Sequence, residues 1–105
     1  MKNKAINALI DLGVPVGVKG FNYIVEAMCL FEDPKWKNEK QMALYYKIAS
    51  LHGTTPERVE REMRHAFSTV YKPGNEVMIA RYLTFQNRTN SNLLHVLHLR
   101  LAQEE

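Results

Sequence analysis

At 105 residues with a single cysteine, the chain is long enough to bury one hydrophobic core without a disulfide or a structural metal. A composition of 46% hydrophobic and 24% charged residues excludes a disordered or fibrous protein, and no apolar run reaches the roughly 20 residues of a membrane span. Fourteen Lys and Arg against eleven Asp and Glu leave a net charge of +3, too little to argue for nucleic acid unless the cations are grouped.

Nearly every segment has helical spacing, so the expected fold is all-α, one domain over residues 1–105 with about six helices. Ile6, Leu9 and Ile10 place a first helix over 4–12, with Asn3 as its cap and Gly13 at its end. Residues 1–4 are basic, but Asn7, Asp11 and Gly13 follow, which makes a poor signal peptide and points to a cytoplasmic protein. Pro15 sits in a connector over 13–17. Phe21, Ile24, Val25, Met28 and Phe31 form one stripe of a second helix over 20–32, which Asp33-Pro34 ends. Cys29, among Val25, Met28 and Leu30, is expected to be a buried, inert thiol. Lys35 to Lys40 reads as a loop or as a helix start. A third helix runs from about Glu39 to Leu51 through Leu44, Tyr45, Ile48 and Ala49.

Ala49-x3-Gly53-x5-Val59 is the spacing of a helix-turn-helix. The small Ala lets two helices cross closely, Gly supplies a positive φ, and Val packs the second helix back onto the first. Pro56 suits the first position of the fourth helix, which makes Thr55 its cap; Thr54 with Glu57 would instead form a capping box. This helix is expected over 56–71. Asn75 then caps a short fifth helix through Val77, Ile79, Ala80 and Leu83. Thr89-Asn90-Ser91 opens a last helix whose Leu93, Leu94, Val96, Leu97, Leu99 and Leu101 cover most of its circumference. Such a helix is either buried or an interface, so neighbouring copies are expected to touch through it or through the adjacent loop.

At about 100° per residue, Val59, Met63, Ala66, Phe67 and Val70 share the core side of the fourth helix. Arg58, Arg61, His65 and Ser68 fall opposite, with Arg64 and Glu57 beside them. A guanidinium fork there can donate two bonds to guanine O6 and N7 or to a phosphate, and Glu60 on the flank can accept from cytosine N4. A solvated helix laced by Glu57–Arg61 and Glu60–Arg64 pairs would look similar, but the turn before it favours a recognition helix in double-stranded DNA. Elsewhere the chemistry is thin. His95 and His98 at i,i+3 lack a third ligand nearby and read as surface or interface histidines, so no metal is expected. No serine has a visible base and orienter, and the five glycines stand singly. Neither an enzyme nor a cofactor is expected.

Gly13-Val14-Pro15, Lys19-Gly20-Phe21-x-Tyr23-x3-Glu26-Ala27, Leu44-Tyr45-x2-Ile48-Ala49, Thr54-Thr55-x2-Arg58-Val59-Glu60-Arg61-x2-Arg64-His65-Ala66 and Thr89-Asn90-Ser91 occur in this order. Together they resemble the C-terminal effector domain of the stage-zero sporulation protein A family, a response regulator of sporulation. The resemblance implies a six-helix fold with the helix-turn-helix in helices three and four. It also implies binding to a TGTCGAA-like box, often as tandem domains, and contact with the RNA polymerase sigma subunit. Position by position, it makes Arg58, Glu60 and Arg61 base-reading and Arg64 and His65 backbone-contacting. Thr55, Asn90 and Ser91 at the two helix starts are expected to join the backbone contacts.

Three features depart from the family pattern. Neither Asp11 nor Asp33 stands in a receiver-like context, so phosphorylation in cis is not expected. Tyr46 replaces a usual Pro and Gly53 a usual Asn. The stretch from Leu83 to Arg88 is several residues shorter, next to the surface associated with sigma contact. The rival expectation is a protein-interaction module that pairs with a full-length regulator or the sigma subunit and binds no specific DNA itself.

Overall fold

Among the described residues seven helices follow one another: α1 (Lys2–Leu12), α2 (Lys19–Leu30), α3 (Pro34–Asn38), α4 (Gln41–His52), α5 (Pro56–Ser68), α6 (Glu76–Tyr82) and α7 (Asn90–Gln103). The computed structural model describes residues 1–104, and among these there is no strand. The fold is therefore all-α, with one helix more than the periodicity suggests. Asp33-Pro34 not only follows α2 but also starts α3: the Asp33 carboxylate accepts from the Lys35 N–H at 3.0 Å, with Pro34 in the first turn. The helix-turn-helix consequently lies in α4 and α5.

Several boundaries differ from the sequence reading for local reasons. Asn3 lies inside α1, which starts from Met1 without a side-chain cap. Helix α5 stops at Ser68, short of Tyr71. There the Ser68 and Thr69 hydroxyls donate to the His65 and Ala66 carbonyls at 2.6 Å each, occupying acceptors at the helix end. Asn75 precedes α6, but its side chain does not cap it. The amide donates instead to the Leu12 carbonyl at 2.9 Å and the Val70 carbonyl at 2.8 Å, joining the end of α1 to the segment after α5.

Helix α2 is the hub, packed against α1, α4, α5 and α7. Its Phe21, Ile24, Val25 and Met28 are buried together with Val59, Met63, Ala66, Phe67 and Val70. Gly20 marks where α2 crosses α5. A Cβ placed there would stand 2.1 Å from the Glu62 carbonyl oxygen and 2.8 Å from the Ala66 methyl, so the crossing distance requires glycine.

The leucine-rich last helix is core, which corrects the expectation of an exposed leucine face. Leu93, Leu94, Leu97 and Leu101 are fully buried, Val96 is half-buried and only Leu99 is exposed. Three neighbours, α2, α5 and α6, surround α7 and cover more of its circumference than one packed face could. His98 is likewise buried rather than superficial. Its Nε2 lies 3.0 Å from a Glu32 carboxylate oxygen, and its ring meets Phe31 edge-on. His95 bridges the Ser91 and Lys37 carbonyls, so both histidines serve packing between α7 and the α2–α3 region. Cys29 is half-buried; burial, aided by the nearby Glu26 carboxylate, pushes its thiol above the ordinary value, which disfavours the reactive thiolate. No helix among the described residues is long and apolar enough to cross a membrane.

Candidate nucleic-acid interface

The turn between α4 and α5 is fixed by backbone geometry on one side and by a cap on the other. Gly53 adopts φ 65°, ψ 38°, and the Thr54 N–H reaches back to the Ala49 carbonyl at 3.0 Å. Thr55 then caps α5: its hydroxyl accepts from the Arg58 N–H at 3.3 Å, with Pro56 at the helix start. Of the two caps the sequence allows, Thr55 is the one formed. The end of α4 is also pinned to α2, because His52 Nε2 lies 3.0 Å from a Glu26 carboxylate oxygen and the His52 ring meets Tyr23 edge-on.

This frame sets the rotation of α5. Its apolar residues point inward, while Arg58, Arg61, Arg64, His65 and Ser68 are exposed. Of the two ion pairs available on the helix, Glu60–Arg64 forms, with Arg64 Nη1 donating to Glu60 Oε1 at 2.6 Å. Among the described residues, Glu57 and Arg61 form no such pair, and neither Arg58 nor Arg61 is held by a carboxylate. Helix α5 therefore presents two unpaired guanidinium groups about one turn apart, followed by a third held by Glu60. A polar depression of about 310 Å³ lies beside Arg58, lined also by Lys19, Asn22 and His52.

The start of α7 abuts α5, but not with every side chain expected to face a ligand. Thr89 caps α7 by accepting from the Asn92 N–H at 3.3 Å. Ser91 is half-buried at the rim. Asn90 is buried and turned inward, its amide donating to the Glu60 carbonyl at 2.9 Å and to the Tyr45 hydroxyl at 3.1 Å. In this pose the side chain holds α7 against α5 and α4 and does not face outward, as a contact to the DNA backbone would require. Two features have no local signal: the close approach at Gly20, which in sequence is only a glycine at a helix start, and the stacking of Arg88 over the Tyr71 ring beside Arg64, seventeen residues away in the chain.

The model of the family described as sporulation initiation factor Spo0A C terminal matches residues 5–101. The chain belongs to that family. The match runs from the first turn of α1 to the last buried leucine of α7, so it takes in the whole core and both helices of the turn. The family is one of DNA-binding effector domains of sporulation response regulators, and its helical architecture agrees with the fold described above. It is a regulatory family, not an enzyme family.

Proposed function

We propose that the chain is a sequence-specific transcriptional regulator that lays α5 in the major groove of a TGTCGAA-like box. The observation that carries this reading is the pair of unpaired guanidinium groups, Arg58 and Arg61, on the exposed face of the helix that follows the turn. Each can donate two bonds to guanine O6 and N7. Glu60 engages Arg64 through Oε1, which leaves Oε2 as the acceptor that a cytosine amino group requires. Arg64 and His65, with Thr55 and Ser91 at the two helix starts, set the register on the phosphates. Asn90 supports that register from inside.

One short box gives a single domain little to hold, and two adjacent boxes raise the effective concentration of the second domain. Family membership supports a tandem arrangement of this kind; the leucines of α7 do not, since they are buried within one chain. Burial of that face also removes the feature that favoured a pure protein-interaction module. Fluorescence anisotropy of the purified chain with a duplex carrying the box, and with a scrambled duplex, tests the reading. Tighter, salt-sensitive binding to the box supports it. Equal binding to both duplexes, or none, contradicts it.

A further inference from the structure

Between the second half of α5 and the segment leading into α7 lie two adjoining cavities of about 320 and 350 Å³. Arg64 and Arg88 line both. The first is completed by Phe67, Ser68, Tyr71 and Leu93, the second by Glu60, Tyr45 and the residues that open α7. Arg88 is exposed, yet its guanidinium is fixed. It stacks over the Tyr71 ring at 3.9 Å, and its Nε donates to the Phe85 carbonyl at 3.0 Å. The Tyr71 hydroxyl in turn donates to the Thr84 carbonyl at 2.5 Å, so the ring that carries Arg88 is tied to the same segment. Burial raises the Tyr71 phenol above its ordinary value despite the cation beside it, which keeps that hydroxyl a donor.

With Nε occupied and the stem stacked, the two terminal nitrogens of Arg88 remain, and among the described residues no carboxylate pairs with them. A long cationic side chain held in one pose without a partner has already lost the entropy that a bound anion would otherwise have to offset. Arg64 faces the same space from α5, and its charge is shared with Glu60. Two guanidinium groups against one carboxylate leave the cleft net positive. Thr89, Asn90 and Ser91, at the start of α7, line its other wall.

We propose that Arg88 and Arg64 together clamp one phosphate of the DNA backbone at the flank of the recognition helix. The inference rests on α5 entering the major groove. A strand bordering that groove then passes the end of the arginine face, where the cleft opens. Arg88 adds a backbone contact from outside the helix-turn-helix and takes the place that the buried Asn90 side chain does not fill.

The test compares the purified chain with its Arg88→Ala and Arg88→Lys variants on box and scrambled duplexes across a salt series. Removing one phosphate contact lowers the slope of log affinity against log salt by about 0.9. Arg88→Ala is expected to show that loss equally on both duplexes, with an unchanged thermal melt, while Arg88→Lys keeps most of the slope. Replacing single phosphates by neutral methylphosphonates then locates the contact. One substitution at the edge of the box should weaken the parent chain and leave Arg88→Ala without further loss. An unchanged salt slope in Arg88→Ala, or a loss confined to one base position of the box, overturns the clamp while leaving the groove reading intact. Salt-insensitive binding by the parent chain itself overturns both.

Discussion

The Asn90 side-chain amide donates to the backbone carbonyl of Glu60 at 2.9 Å, tying the first turn of α7 to the middle of the candidate recognition helix across thirty residues of sequence. The same amide donates to the Tyr45 hydroxyl, so one buried side chain joins α4, α5 and α7. Asn90→Ala is expected to destabilise the fold by about 1–3 kcal/mol, because it strips a buried hydroxyl and carbonyl of a donor. The slope of DNA affinity against salt should not change. Thermal melts beside a salt titration check both; a lower slope at unchanged stability would make Asn90 a phosphate ligand instead.

Gly20 gives an outcome opposite to the helix-propensity expectation. In an ordinary helix interior Gly→Ala stabilises by about 1 kcal/mol. Here the added Cβ meets the Glu62 backbone at 2.1 Å, and backbone cannot step aside as a flexible side chain can. Gly20→Ala is expected to cost about 3 kcal/mol and to weaken DNA binding by shifting α5. Denaturant unfolding measures it, and a stabilised variant would show that the two helices do not cross this closely.

At Gly53 the constraint is conformational alone. Nothing lies within 4 Å of a Cβ built there, but φ is 65°. Gly53→Val is therefore expected to cost roughly 1–2 kcal/mol, whereas Gly53→Asn should be tolerated because Asn visits the left-handed region more readily. Equal stability of the two variants by thermal melt would contradict the assigned turn.

Tyr82 predicts a pH response. Its phenol is pushed up to about 12, mainly by burial and further by its hydrogen bond to Asp11, with Arg81 acting against both. Below the unfolded phenol's pKa of about 10 both states hold the proton, and the full stability is present. As pH rises from there towards 12, the unfolded chain releases the proton first, so stability falls, by up to about 2–3 kcal/mol. Tyr82→Phe should remove this component. The difference between the two denaturation profiles above pH 10 tests it, and parallel profiles would contradict it.

What the sequence revealed divides along the range of the interactions. The amphipathic stripe of α5, the Gly13 and Gly53 helix ends and the Thr55-Pro56 start are encoded within a few residues of each other, and all were legible. Helix α3 is undecided in the sequence because five residues are too few for a period to emerge; only its Asp-Pro start marks it. The leucines of α7 were legible as apolar, but the number of neighbours that cover them is a property of packing. Asn90 and Arg88 lie furthest from view. An Asn beside a helix start looks like capping or surface chemistry, and nothing near it in the chain reveals that Tyr45 and Glu60 wait for its amide.

The central claim, that Arg58 and Arg61 read bases, is tested most directly by selecting bound sites from a random DNA pool with the parent chain and with Arg58→Ala and Arg61→Ala. The parent chain should enrich a TGTCGAA-like box. Each variant should lose preference at one guanine position, at a cost of about 1–3 kcal/mol per contact, and keep it at the others. Selection of no common sequence by the parent chain, or retention of every base preference by both variants, would contradict the account.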